Sequence, residues 1–504
     1  MNTETSSFVP LPQEALEVLQ TLHEAGFEAY LVGGCVRDIL LGREPEDWDV
    51  ATNALPEEVL VLFEHSFYEN NFGTVGVVFE EASDERHKTI EVTTYRNEGT
   101  YTDKRRPDEV SFTKNIEDDL KRRDFTINAI AFLPDFAHSN PSDVSRGTFI
   151  DPFHGKQDLD KKTVRAVGNP HERFNEDALR SMRAVRIASV LNFSIESETR
   201  EAIASHASEL AHIAEERIRD EFIKLINSPH PMTGMFLMER LTILEQILPE
   251  FKPTFSMEQN QAHAFTVWEH LLRSLQYTAD KNLPLHVRLA AVFHDIGKGY
   301  TRERSKKKDD WSFYGHEVVG ARITKTILER LKFDRQMVTR VTKLVRWHMF
   351  FSDTDQITLS AVRRMIRNVG KENVEDLLTL RRADRIGTGR PKESPYRLRK
   401  YESMIDEVMR DPISVGMLTI KGDDIVRITA SSPGAHVGHI LHALLDEVLD
   451  DPTKNTSDYL ESRTIELYRL KPHELARQGK KGRETQEKHD EKLLEEIRHK
   501  HSVT

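Results

Sequence analysis

The sequence predicts an α+β protein of several domains, with sheet in its N-terminal part and helices after it. One sign is the stretch from residue 28 to 52, where an apolar run (Ala29 to Val32), Gly33-Gly34, a short helical segment (Cys35 to Leu41) and a second extended run follow in turn. Another is a pair of extended, β-branched runs at 75–79 and 88–96. From about residue 173 the apolar residues recur instead at helical spacing. A chain of 504 residues has room for three or four such domains.

Taken in order, residues 11–25 predict an amphipathic helix with Leu11, Ala15, Val18, Leu19 and Leu22 on one face. Within the 28–52 stretch, Asp47 and Asp49 are two apart on a predicted strand. Both carboxylates then point to one face, away from Trp48 and Val50. Two hard oxygen ligands at that separation suit Mg²⁺, which takes a few carboxylates plus phosphate oxygens. Adjacent glycines before a helix start let backbone N–H groups approach a triphosphate. Gly33-Gly34 with Asp47 and Asp49 therefore reads as a nucleotide and metal site. Arg37 reads either as part of the phosphate cradle or as a structural partner of Asp38 or Asp47. Pro56-Glu-Glu is a helix start. In the 88–96 strand Ile90, Val92 and Thr94 share one face and Glu91 and Thr93 the other, so Glu91 is either a third carboxylate or an exposed strand residue.

Residues 96–113 are polar and turn-rich and predict a loop. In 117–132, Arg122 and Arg123 offer planar, permanently charged donors for phosphate oxygens, and Asn128 can read a ribose hydroxyl. Residues 173–192 predict one helix with Phe174, Ala178, Met182, Val185 and Ser189 on its apolar stripe. Glu176, Arg180 and Arg183 lie on another stripe, with Asp177 flanking it. One carboxylate and one guanidinium match the edge of a base, so Asp177 with Arg180 can act as a protein template; an ion-paired surface gives the same pattern. From 195 to 255 the pattern is helical, punctuated by Pro229, Pro231, Pro249 and Pro253, with no legible chemistry.

A second constellation follows: His270, His294-Asp295 within His-Asp-Ile-Gly-Lys, His316, His348 and Asp384. Imidazoles and carboxylates drawn from successive helices suit a first-row metal. Lys298 reads as a phosphate ligand or as a helix-end cation. Residues 413–462 give helices with glycine-marked breaks. Beyond 475, Lys- and Glu-rich sequence predicts a frayed helix or a disordered tail.

Charged residues make up 31% and hydrophobic ones 38%, and no apolar run approaches the length of a membrane span, so no membrane partner is expected. A net charge of −12 argues against indiscriminate nucleic-acid binding and confines any RNA contact to local basic groups. A single cysteine, Cys35, excludes an internal disulfide framework. With an N-terminus lacking a signal-peptide pattern, it points to a reducing cytoplasm, and Cys35 reads as a packing residue. Oligomeric state is not legible.

The Gly33-Gly34 and Asp47/Asp49 arrangement closely resembles the head-domain signature of class II tRNA nucleotidyltransferases and bacterial poly(A) polymerases. Arg-Arg-Asp-Phe-Thr-Ile-Asn-Ala at 122–129 and Glu-Asp-x-x-Arg-x-x-Arg at 176–183 resemble further motifs of that family, and Asp151 to Gly155 resembles its head–neck hinge. The resemblance implies a polymerase-β-like head with a mixed sheet, then all-helical neck, body, HD and tail regions. The bounds expected are 1–150 head, 151–205 base-recognising neck, 206–258 body, 259–395 HD domain, 396–470 helical region and 471–504 charged tail. It implies template-independent addition of CCA to the tRNA acceptor end from CTP and ATP, with Mg²⁺ held by catalytic Asp47 and Asp49. The nucleotide-binding set it implies is Gly33, Gly34, Arg37, Arg122, Arg123, Asp124, Asn128, Asp177, Arg180, Arg183 and Arg186. Asp103, Arg105, Arg106 and Pro107 match a loop element tied to adding the terminal adenosine.

The order His, His-Asp, His, His, Asp resembles an HD-type metal phosphohydrolase. Here His270, His294, Asp295 and Asp384 are implied as primary ligands of a divalent transition metal, with His316 and His348 nearby or on a second metal. Phosphatase or 2′,3′-cyclic phosphodiesterase activity is the implied chemistry. Two other readings remain: an A-adding enzyme or poly(A) polymerase within the family, and an HD phosphohydrolase whose head only binds RNA.

Overall fold

A computed structural model describes residues 9–70, 73–98, 110–138, 140, 142–259, 264–305, 310–350, 357–410 and 414–503. The described residues fall into two compact units, Met1–His348 with Ala383–Arg390 and Met349–Arg382 with Pro391–Thr504.

The first unit begins with helix Gln13–Glu24, which buries Ala15, Leu16, Val18, Leu19 and Leu22, close to the stripe its periodicity predicts. The sheet strands are β1 Ala29–Val32, β2 Asp49–Thr52, β3 Ser66–Asn70, β4 Thr74–Val78, β5 Thr89–Thr94, β8 Ala131–Leu133 and β9 Thr148–Ile150. Between them in sequence, β6 Arg96–Glu98 and β7 Val110–Phe112 form a separate ribbon. The sheet order is β3-β4-β5-β2-β1-β8-β9. Only β2 and β5 run parallel, so the sheet is mixed, as expected. Ile90, Val92 and Thr94 of β5 are buried while Glu91 and Thr93 are half-buried, the alternation of a strand with one core face.

Two local expectations are corrected. The strand expected to carry both aspartates begins at Asp49, and Asp47 stands in the turn before it. The single helix expected over 173–192 is two, Pro170–Glu176 and Leu179–Leu191, broken at Asp177. The cause is capping: Asp177 leaves the helical region (φ −141°, ψ 104°) and its Oδ1 accepts from Leu179 N at 3.0 Å. An aspartate that satisfies an orphan N–H competes with helix continuation, although the apolar stripe runs through both pieces.

Strands β10 Thr163–Val164 and β11 Ser194–Ile195 pair in parallel beside these helices. Helices Ser197–His206, Glu215–Ile226, Pro231–Arg240 and Ile243–Ile247 follow, the third started by Pro231. Helices Val267–Asp280, Leu285–Phe293, His316–Arg330 and Arg335–Trp347 complete the unit. A short ribbon, β12 Glu303–Arg304 and β13 Trp311–Ser312, lies between the second and third of them. Helix Val374–Gly387 brings Asp384 back to this unit.

In the second unit Leu418, Ile420, Ile425, Ile440, Leu444, Leu445, Leu460, Leu467 and Leu475 form one core. The charged tail, for which composition leaves a frayed helix or disorder open, is the 29-residue helix Pro472–Lys500. Leu475 anchors it in that core, and ion pairs Lys481–Asp446 (2.9 Å), Arg410–Asp490 (2.9 Å) and Lys500–Asp406 (2.7 Å) run along it. Among the described residues no helix is long and apolar enough to cross a membrane.

Candidate active sites

The first site is built where β1 ends. Gly33 has φ +81°, a conformation that L side chains rarely adopt. A Cβ placed there would lie 3.0 Å from Arg123 Nη1 and 3.1 Å from Asp49 Oδ2. One on Gly34 would lie 3.7 Å from Arg37 Nη2 and 3.8 Å from Asp47 Oδ1. The glycine pair thus runs between two carboxylates and two guanidinium groups, and Asp47, Asp49, Arg37 and Arg123 meet although they are up to 86 positions apart in the chain, the interval from Arg37 to Arg123. In the parallel β2–β5 register Asp49 stands opposite Glu91, which places Glu91 on the same face. Gly33→Ala is expected to lower nucleotide incorporation on the order of 10²-fold, because alanine is strained at φ +81° and its methyl group crowds Arg123 and Asp49. A steady-state assay with circular dichroism as a folding control checks it.

The arginines are pre-positioned by a carboxylate the sequence reading passed over. Asp119, fully buried, accepts from Arg122 Nε (2.9 Å) and Nη2 (2.7 Å) and from Arg123 Nη2 (3.3 Å). Burial pushes the Asp119 carboxyl up, but Arg122 and Arg123 outweigh it and hold the group below its usual range. The i, i+3 and i, i+4 spacing in Asp119-Leu-Lys-Arg122-Arg123 is a signal that would have found it. Arg123 Nε is buried with no partner among the described residues, a donor available to an anion. Arg37 bonds Asp38 (2.8 Å) and also donates to Asn128 Oδ1 (2.9 Å). Asn128 Nδ2 donates to Asp124 Oδ1 (3.1 Å), and Arg183 Nε donates to Asp124 Oδ2 (2.8 Å). Burial opposes ionisation of Asp124, yet Arg183 and Asn128 bring its pKa down to about 2.

Cys35 is buried, its Sγ 3.1 Å from Val32 O, and burial together with the Asp49 charge pushes the thiol up to about 12. It is a packing residue, as expected. Asp103, Arg105, Arg106 and Pro107 lie outside the described residues.

Around the Asp177 break, Arg180 Nη1 donates to Glu176 Oε2 (2.5 Å) and Nη2 to Arg122 O (3.3 Å), which ties this helix to the first site. Asp177 itself is held by Arg217 Nη2 at 2.7 Å, and Arg186 Nε bonds the buried Glu221 at 2.7 Å. Both partners come from helix Glu215–Ile226, in the stretch where no chemistry was legible; pairs 35 and 40 residues apart leave no local signature.

The second constellation converges completely. His270 Nε2 lies 3.0 Å from His294 Nε2, 3.2 Å from Asp295 Oδ2 and 3.4 Å from Asp384 Oδ1. On the other side His316 Nε2 and His348 Nε2 lie 3.1 and 3.4 Å from Asp295 Oδ1, and 3.4 Å from each other. Two buried triads result, His270/His294/Asp384 and Asp295/His316/His348. His294, His316 and His348 each donate Nδ1–H to a main-chain carbonyl, of Ala291 (2.8 Å), Phe313 (2.7 Å) and Val345 (2.8 Å). That turns the Nε2 atoms inward, toward one another and the carboxylates. Gly297 makes the convergence possible, since a Cβ there would sit 2.1 Å from His316 O.

Lys298 Nζ pairs with Asp295 Oδ2 (2.6 Å) and donates to Gln259 Oε1 (2.7 Å), so it is a buried internal partner and not a helix-end cation. Burial resists ionisation of Asp295, but Lys298 and His294 hold its carboxyl well below the usual range. Burial lowers His294 and His348 alike; the Asp295 charge reverses this for His294, which is raised, while His348 stays lowered.

Residues 29–165 match the poly A polymerase head domain, 192–255 a probable RNA and SrmB- binding site of polymerase A, and 267–389 the HD domain. The chain is 45% identical over 278 residues to the CCA-adding enzyme of Levilactobacillus brevis, an alignment spanning 52% of this chain and 65% of that protein. It is 33% identical over 459 residues to the CCA-adding enzyme of Lactobacillus helveticus, covering 90% of this chain and 97% of the relative. The fold is similar to the crystal structure of the Bacillus stearothermophilus CCA-adding enzyme in complex with CTP (TM-score 0.58, 27% identity, 91% and 97% of the two chains). A relationship that runs almost end to end, over the same residues that build the two sites, means that this chain belongs to the CCA-adding enzyme family.

Proposed function

We propose that the chain adds C, C and A to the 3′ end of tRNA from CTP and ATP, releasing pyrophosphate. The observation that carries the reading is the pair Asp47 and Asp49 bordering Gly33-Gly34 opposite Arg37 and Arg123. Two carboxylates at the edge of a glycine turn fit Mg²⁺, and Asp47 and Asp49 would hold it. When bound, Mg²⁺ supplies neutralisation of triphosphate charge and a more acidic tRNA 3′-hydroxyl. Phosphoryl transfer asks the protein mainly for positioning and charge. Arg123, braced by Asp119 and carrying an unpartnered Nε, binds phosphate oxygens, and Arg37 flanks it. Asp177 and Arg180 select the base, with Arg217 and Glu176 fixing their orientation.

Product sequencing after incubation with CTP, ATP and Mg²⁺ tests the assignment, using a tRNA that lacks the trinucleotide, one ending in CC, and an unrelated RNA. Complete CCA on the first, then arrest, is expected. Addition of A alone to the second identifies an A-adding enzyme, and long A tails on any RNA identify a poly(A) polymerase.

A second activity is favoured by the inward Nε2 groups of the six-residue cluster. The donor set fits divalent transition metals, which His270, His294 and Asp384 on one side and Asp295, His316 and His348 on the other would hold. Such ions supply Lewis acidity and a nucleophile from water at neutral pH. Lys298 keeps Asp295 ionised. The reaction proposed is hydrolysis of a phosphoester.

A further inference from the structure

Helix Leu359–Val369 of the second unit has two faces of opposite chemistry. Val362, Met365, Ile366 and Val369 fall on one side and are buried where the helix packs on helix Tyr396–Met409. Ser360, Arg363, Arg364 and Arg367 fall on the other, within an arc of roughly 100°, and all four are exposed. Thr358 Oγ1 caps the start by accepting from Ala361 N (3.3 Å), and Gly370, at φ +90°, ends the helix. Among the described residues no guanidinium of the three has an ion-pair or hydrogen-bond partner. Elsewhere in this unit such groups are answered by carboxylates: Arg382 by Glu402 (2.8 Å), Arg410 by Asp490 (2.9 Å) and Arg463 by Glu447 (2.8 Å). Like charges at i, i+3 and i, i+4, here Arg364/Arg367 and Arg363/Arg367, destabilise a helix. The stripe therefore opposes the stability of its own helix, and its charge is left for an anion from outside the chain.

We propose that Arg363, Arg364 and Arg367 form a docking stripe for an RNA phosphate backbone, that of the tRNA whose 3′ end the first site extends. The identity of the polyanion rests on the function proposed above. Guanidinium groups are permanently charged, present planar sets of donors matched to phosphate oxygens, and are more weakly hydrated than ammonium groups. With a net charge of −12 the chain as a whole repels a polyanion, so a local stripe of unpaired arginines is what lets such a partner approach at one face. Arg363 and Arg367 stand about one turn apart, ~6 Å along the axis, with Arg364 between them, a spacing suited to a row of phosphates more than to one compact anion. Backbone contacts of this kind carry no sequence information. The stripe thus adds affinity and orientation and leaves the choice of nucleotide to Asp177 and Arg180. It belongs to the second unit and both candidate active sites to the first, so its loss leaves the chemistry in place.

The test uses the full chain with Mg²⁺ and a fluorescently labelled tRNA lacking its terminal trinucleotide. Affinity is read by anisotropy across a range of NaCl concentrations, and CTP incorporation is followed in parallel. The variants carry Arg363→Gln, Arg364→Gln and Arg367→Gln singly and together, at positions exposed enough for the fold to tolerate them, with circular dichroism as the control. Each single change is expected to lower the slope of log affinity against log salt by about 1, and the triple change by about 2 to 3. In the triple variant KM for tRNA rises about tenfold or more near 0.1 M salt, while kcat stays within about twofold. Lysine at all three positions restores the slope, because counterion release follows charge. An unchanged slope in the triple glutamine variant overturns the stripe, as does equal loss in the lysine and glutamine variants. A fall in kcat with KM unchanged also overturns it and makes the helix a structural support. Tighter binding to vesicles of mixed phosphatidylserine and phosphatidylcholine than to tRNA, lost in the glutamine variant, makes the stripe a lipid contact and overturns the RNA assignment. Should the wild-type chain add no nucleotide, the function proposed above falls, and the anisotropy arm still decides the stripe: a lowered slope upholds it and an unchanged slope removes it.

Discussion

Asp49→Asn is expected to abolish nucleotide incorporation, with kcat for CTP and ATP falling at least about 10³-fold and the thermal midpoint moving by only a few degrees. The substitution is nearly isosteric and Asp49 opens β2 at its half-buried end, so the core packing of Val50 and Ala51 is untouched. What is lost is a charge 3.1 Å from the position a Cβ on Gly33 would occupy, on the same face as Glu91. An interaction that acts on charge developing during phosphoryl transfer appears in kcat more than in KM. Single-turnover incorporation into a tRNA lacking its terminal trinucleotide gives the number directly. Retention of activity within tenfold of wild type would sink the assignment of this carboxylate to the chemical step and move the phosphohydrolase reading to first place.

The first site was legible because its parts are local. A glycine pair, a short helix and two aspartates within 25 residues leave a pattern that folding physics permits in few ways, and the arrangement appears with its strand, turn and helix in the expected order. The boundaries were less legible. Strand β2 starts two residues later than alternation suggests, since Asp47 alternates correctly without pairing. The helix over 173–192 breaks at Asp177 because a capping aspartate overrides a continuous apolar stripe. Short strands such as β8 and β9, three residues each, carry too little alternation to register. Least legible were the residues that hold the site together: Arg217 on Asp177 and Glu221 on Arg186 are pairings made by tertiary structure alone, and no spacing within the chain announces them. The six side chains of the second cluster were readable by type and order, yet their division into two triads was not, because it depends on which oxygen of Asp295 each imidazole faces.

That division gives the second large effect. Asp295→Asn is expected to remove phosphoester hydrolysis at least about 10³-fold and to empty both metal positions, while CCA addition stays within about threefold of wild type. Asp295 faces His270 and His294 through Oδ2 and His316 and His348 through Oδ1. It thus faces the four imidazoles of both triads. An amide keeps the shape but carries no charge, so both faces of the cluster lose the anion: one keeps only a neutral carbonyl oxygen and the other meets an N–H₂ group. Lys298, 2.6 Å from Oδ2, is left as a buried cation without its counter-charge, which further opposes cation binding. His316→Gln is the control, since it alters only one triad. If the two positions fill independently, metal analysis of the purified chain should then find one equivalent retained where Asp295→Asn retains none. Full metal content in Asp295→Asn would show that the two triads do not share this carboxylate. Equal metal loss in both variants would show that the cluster fills as one unit. A fall in CCA addition matching the fall in hydrolysis would mean that the cluster supports the fold of the first unit as a whole, not a separate hydrolytic reaction.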